Sequence, residues 1–334
     1  MPPVPTPLDP LDSPEVLDAI GHVEAHLLDL LETLTADEWD RPTIVAGWRV
    51  RHVAAHLLDT ALRRLSLVRD GHAVDGPASG GAADVRAFVD RVNAEGVAVY
   101  GRLSRSVLTA LMQTASRDYC AHLRTLDPHA RAMLAVSWAG EEESRNWFDI
   151  ARELTERWHH QQQMRLAVGR PGIETRALYH SVLDTFMRVL SHTYRDVAAA
   201  PGTHLDVRVT GSAGDLWQLY RGDQGWRLAR GLAGPAVATV TIPGEVAWRL
   251  FTKALTRAQA EQVVTMDGDR ALGAHVLRAV AEPDRDVRDD DAGRNPGHGA
   301  DAVCERQAAA PSAAALRPGS VGRLHPGGRA AAGQ

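Results

Sequence analysis

The feature that most constrains this chain is a change of period at Gly202. Before it, apolar residues recur every three or four positions; after it, they alternate with polar ones. A spacing of three and four puts apolar side chains on one face of a helix, and alternation puts them on one face of a strand. One uniform layer of structure cannot satisfy both periods. The chain must therefore hold a helical part followed by a part with grouped strands and helices, a multidomain α and α+β fold.

In the first part, Val16, Ile20, Val23, Leu27, Leu30, Leu31 and Leu34 predict a helix entered through Ser13-Pro14-Glu15. A second helix is expected from about Val50 to Arg69. The Gly/Ala-rich stretch from Gly71 to Ala82 reads as a loop, followed by one long helix from Asp84 to about Leu126. A fourth runs from roughly Asn146 to Val168 and stops at Gly169-Arg170-Pro171-Gly172. These four suggest a helical bundle over 13–172. A connecting helix, about Thr175 to Val197, spans 173–201. Strands are expected at Leu205–Thr210, Trp217–Tyr220, Trp226–Leu228 and Ala236–Ile242, with helices from Glu245 to about Leu255 and Asp269 to Val280, so that 202–282 is a small α+β domain.

The flanks read differently. Residues 1–12 carry five prolines and no basic residue, and are expected to be disordered rather than a signal peptide. From Pro283 to Gln334 there is no Ile, Phe, Trp, Tyr or Met, so too little apolar area exists to offset the entropy of ordering, and a disordered tail is expected. A net charge of −5 gives no reason to expect nucleic acid or an anionic membrane as partner, and no apolar run is long enough to span a bilayer. Two cysteines, Cys120 and Cys304, form no disulfide framework and suit a reducing cytoplasm. The basic residues are 36 arginines and one lysine, Lys253, a bias typical of GC-rich coding and no evidence of a phosphate-binding surface.

Fifteen histidines supply the chemistry worth weighing. His52 and His56 are four apart on the second helix, as are Glu156 and His160 on the fourth. A spacing of four places both side chains on one helix face, close enough to share a cation. Ligands from two helices can converge inside a bundle, and a carboxylate with two imidazoles suits Zn²⁺ and leaves a coordination position open. His-x-x-x-His pairs are also common on solvated surfaces, so spacing alone leaves the matter open. His159 and His160 project about 100° apart on a helix, so only one of them can face a given site.

The segment Gly47-Trp48-Arg49-Val50-Arg51-His52-Val53-Ala54-Ala55-His56-Leu57 resembles a signature of the mycothiol-dependent maleylpyruvate isomerase family. So does Ser137-Trp138-Ala139-Gly140 followed by Glu156-Arg157-Trp158-His159-His160-Gln161-Gln162. The resemblance continues through Gly211–Trp217 and Val246–Leu250, and covers about 13 to 281. It implies a DinB-like four-helix bundle, a sterol-carrier-like C-terminal α+β domain, and a metal triad of His56, Glu156 and His160, with His52 one turn before it. It also implies a divalent metal, zinc by preference, mycothiol as thiol cosubstrate, and an actinobacterial, cytoplasmic setting. The chain departs from the family at Gln163, where many relatives carry Asp. It departs again where some relatives carry a catalytic arginine: Lys253 is the nearest counterpart and Arg249 is equally available.

The resulting expectation is an isomerase or S-transferase in which a metal-activated thiolate adds to a small electrophilic or acidic molecule. Two alternatives stay open: a hydrolase with metal-activated water, and a non-catalytic small-molecule-binding protein with a structural metal. Monomer and homodimer fit the sequence equally.

Overall fold

The computed structural model describes residues 6–78 and 82–279. The tail expected to be disordered, 283–334, lies outside the described residues, as do residues 1–5.

Helix α1, Ser13–Thr33, is capped one residue earlier than Ser13 suggests: the Asp12 carboxylate accepts from the Glu15 amide at 3.3 Å. The short α2, Ala36–Trp39, carries a complete capping box between Thr35 and Glu38. Helix α3, Val50–Arg64, runs into a single π-turn at Leu65–Arg69. The long helix expected from Asp84 to Leu126 is two helices, α4 (Ala82–Tyr100) and α5 (Arg105–Leu123). Gly101 ends the first, and Ser104 caps the second by accepting from the Val107 amide, so local turn chemistry overrides an apolar period that continues across the break.

Helix α6, Asn146–Val168, completes the bundle and ends at Gly169 in the left-handed conformation, φ 67°. Helices α1, α6, α3 and α5 pack in a closed ring, each against the next, and α4 lies against α3 outside it. The ring buries Ile20, Val23, Leu27, Leu57, Leu58, Met112, Leu154 and Trp158 completely. Its interior is also polar. Arg64 is clamped by Asp149 (2.6 Å) and Glu153 (2.9 Å), Arg152 bonds the same two carboxylates, and Arg157 pairs with Glu24. Every guanidinium faces a carboxylate, the condition under which buried charge is tolerated.

The connecting helix is broken into α7, Arg176–Met187, and α8, Val189–Thr193. Beyond it lie β2 (His204–Val209), β3 (Leu216–Gly222), β4 (Gly225–Arg230), β5 (Ala238–Ile242), α9 (Gly244–Phe251), α10 (Arg257–Val263), β6 (Thr265–Gly268) and α11 (Arg270–Gly273), which leads into a 3₁₀ turn. With β1 at Thr6–Pro7, the sheet order is β1-β4-β3-β2-β5-β6, antiparallel except for the β2–β5 pair. Leu205, Val207 and Val209 turn inward while Arg208 faces out, the alternation read from the sequence.

Strand β1, Thr6–Pro7, falls in the stretch expected to be disordered. It pairs with Arg230 and Ala229 of β4, and Arg188 donates to the Asp9 carbonyl at 2.6 Å. A free sheet edge supplies order that this proline-rich segment lacks by itself. Among the described residues no helix is long and apolar enough to cross a membrane.

Candidate metal centre

Three side chains from two helices meet on the inner face of the bundle. Arg49 precedes the first turn of α3, and the His52 Nδ1 accepts its amide N–H at 3.2 Å, a back-bond that fixes the helix start. One turn later His56 points across the ring at α6. On α6, Glu156 and His160 stand one turn apart on the face turned toward α3. The Glu156 Oε1 lies 3.0 Å from His56 Nε2 and 3.2 Å from His160 Nε2, and the three candidate ligand atoms all fall within 4.8 Å of one another.

The two separations from Glu156 suit a shared cation. Ligands at a tetrahedral zinc, with bonds of roughly 2.0–2.1 Å, stand about 3.3 Å apart. Two imidazole nitrogens and one carboxylate oxygen are a donor set suited to a divalent transition metal such as Zn²⁺, and three protein ligands leave a fourth position open. Burial and access are balanced: the side chains of His56 and His160 are 6% and 10% exposed, whereas that of Glu156 is 19% exposed. Burial works against ionisation of Glu156, but the His160 and His56 imidazoles hold its carboxyl well below the usual range, so it is a carboxylate at neutral pH.

The surroundings orient the ligands. His160 Nδ1 lies 2.8 Å from Gln163 Oε1, an oxygen that can only accept, so the ring is held with Nδ1 protonated and Nε2 turned toward Glu156. The Trp48 ring stands 5.2 Å from that of His56 and stacks at 6.4 Å and 21° on that of His160, covering the pair from the 43–48 loop. His159, the neighbouring imidazole, turns away to its own helix and bonds the Thr155 carbonyl at 2.8 Å.

Other residues singled out from the sequence lie elsewhere. His52 caps α3 and lines a cavity instead of supporting a ligand imidazole. Arg249 is half-buried on α9, near Glu174. Lys253 follows α9 with φ 57°, and the amides of Lys253 and Ala254 close onto Leu250 and Arg249, a Schellman ending with lysine where glycine is usual. The orienting role of Gln163 was not foreseen; its one signal was a position three residues after His160, on the same face.

Below the site, Trp158 stacks on Tyr179 of α7 at 4.2 Å and 3° and meets Trp248 of α9 edge-on at 6.3 Å. The Tyr179 hydroxyl donates to the Gly244 carbonyl and accepts from the Trp248 amide. This seam joins the ligand-bearing helix to the sheet-containing part.

No curated protein sequence matches the chain. Two solved structures, both crystal structures of the mycothiol-dependent maleylpyruvate isomerase and one of them a mutant, are 15% and 14% identical, with TM-scores of 0.49 and 0.48. Each alignment covers 77% of this chain and 93% of the other. Residues 20–165, which include all three candidate ligands, match the family described as the mycothiol maleylpyruvate isomerase N-terminal domain. Over that span, under half of the chain, the sequence is similar to that family.

Proposed function

We propose that this chain is a metal-dependent enzyme that uses mycothiol to isomerise a small acidic molecule of the maleylpyruvate type about its cis double bond. The observation that carries this reading is the convergence of His56, Glu156 and His160, whose candidate ligand atoms all lie within 4.8 Å of one another. When bound there, a divalent metal, zinc by preference, would lower the pKa of a coordinated thiol so that a thiolate exists at neutral pH.

The chain's own residues do the rest. Glu156 supplies negative charge that favours the cation, and Gln163 keeps the His160 proton on the nitrogen remote from it. Trp48 walls one side of the ligand rings and limits water there. The thiol comes from outside. Cys120 is half-buried on α5, where burial pushes its thiol up to about 11, so it stays protonated at neutral pH. Addition of a thiolate to the cis bond leaves a single bond free to rotate, and loss of the same thiolate restores the double bond as trans.

Elemental analysis of purified protein, with turnover assayed with and without mycothiol, tests this reading. One metal per chain and an absolute thiol requirement are expected, with the trans isomer as product. A stable thioether product would make it an S-transferase. Thiol-independent release of a hydrolysed product would make the metal-activated water the reagent.

A further inference from the structure

Trp48 packs on the His56 and His160 rings, yet it stands in a loop and on neither of the helices that carry the ligands. Its own backbone groups are spent inside that loop. Thr43 donates to the Trp48 carbonyl twice, from its amide at 2.9 Å and its hydroxyl at 3.0 Å. The Trp48 amide donates to the Val45 carbonyl at 3.0 Å, and Gly47, at φ 75°, supplies the left-handed residue of the turn.

Both residues flanking Trp48 are bonded by one side chain of α3. His52 Nδ1 accepts the Arg49 amide proton at 3.2 Å, and the same ring is hydrogen-bonded to the Gly47 carbonyl. A carbonyl only accepts, so the imidazole is a donor to residue 47 and an acceptor from residue 49. Only the neutral ring fills both roles at once, one on each nitrogen. Burial, ahead of the nearby Arg51 guanidinium, pushes the His52 pKa down and keeps that form at neutral pH. The turn after α4 closes behind the ring. A Cβ built on Gly101 would stand 3.5 Å from His52 Cδ2 and 2.6 Å from the Val97 carbonyl oxygen, so only glycine lets the chain pass this close. His52 itself lies outside the group of ligand atoms gathered within 4.8 Å.

We propose that His52 is a positioning residue of the metal centre: it clasps the backbone on both sides of Trp48 and so sets the indole on the His56 and His160 rings. An indole fixed against the ligand rings slows exchange at the metal, and a loosened one lets water and competing ligands in. The inference rests on the proposed function for the use of this wall, and on the loop's own hydrogen bonds for the clasp.

His52→Gln and His52→Glu separate this clasp from simple helix capping. Both keep an acceptor for the Arg49 amide at the third helical position, so the helix start survives, but only glutamine can also donate to Gly47. Full-length protein labelled with 5-fluorotryptophan and stripped of metal gives a fluorine resonance for Trp48, identified by its loss in Trp48→Phe. His52→Gln should leave that resonance in place, and His52→Glu should move it while sparing those of the other seven tryptophans. In metal-loaded protein, His52→Glu and Trp48→Ala should each speed metal release to a chelator about ten-fold. The double variant should release it no faster than either, because both changes remove the same wall. Three results would each overturn the inference: a Trp48 resonance unmoved by His52→Glu, one displaced as far by His52→Gln, or release rates that multiply in the double variant. The first would leave His52 as a helix cap alone. Absent metal or thiol-independent turnover would defeat the proposed function instead, and the fluorine comparison, made without metal, stays readable.

Discussion

His160 Nδ1 and Gln163 Oε1 lie 2.8 Å apart within a single turn of α6, and this contact aims the His160 Nε2 at Glu156. An amide oxygen orients the ring without the charge that a carboxylate would add. Gln163→Leu should therefore weaken metal affinity about 10- to 100-fold, the usual cost of losing such a partner. Gln163→Glu should tighten it. Competition with a chromogenic chelator measures both, with far-ultraviolet circular dichroism confirming the helices; equal affinity in all three proteins would remove Gln163 from the site.

Arg64→Met would leave Asp149 and Glu153 with Arg152 as their only ion-pair partner among the described residues, in a buried setting where Tyr119 also donates to Glu153. The expected loss is about 3–5 kcal/mol, read from urea denaturation. The pH dependence has a definite sign. Burial disfavours the Asp149 carboxylate, but Arg64 and Arg152 overcome that and hold its pKa below the usual value. Its contribution is thus full above the unfolded aspartate pKa of about 4 and is lost as pH falls through the lower native value. Without Arg64 the acid-unfolding midpoint should move to higher pH.

Lys253→Gly should stabilise the protein. A side chain at φ 57° costs on the order of 1 kcal/mol or more, and glycine removes it at some entropic cost in the unfolded chain. A gain of about 1 kcal/mol, a rise of roughly 2–4 °C in Tm, is expected from thermal melts. A fall in Tm would mean that the lysine side chain contributes more than its backbone costs.

Tyr179→Phe deletes a donor to the Gly244 carbonyl and an acceptor for the Trp248 amide while leaving the stack on Trp158. Stability should fall by about 1–3 kcal/mol with bound metal unchanged. Loss of metal in this variant would show that the seam also sets the ligand geometry on α6.

Periodicity made the main helices and the β2–β5 core legible, because burial on one face dictates where apolar residues recur. It failed where local chemistry outranks period: the Gly101–Ser104 break between α4 and α5, and the left-handed Lys253 that ends α9 before Leu255. Short elements such as α10 and β6 carry too few residues to show a period at all. At the site, the i,i+4 pairs of histidine and glutamate stand out in the sequence. What chooses between His52 and His56 does not, since it depends on a back-bond to Arg49 and on how α3 faces α6. The buried Arg64–Asp149–Glu153 cluster was equally invisible, because charged residues on a helix read as solvent-facing until their partners 85 and 89 positions away are known.

The pairing of Thr6–Pro7 with Arg230 and Ala229 has a consequence for how the chain is assembled. The outermost strand of the sheet belongs to the opposite end of the described chain from its neighbours, so the sheet cannot be completed from the strand-rich portion produced separately. Such a fragment would carry β4 with its outer row of amides and carbonyls bare, a template for joining a second copy. The two portions are thus fastened at this sheet edge as well as at the Trp158–Tyr179–Trp248 seam.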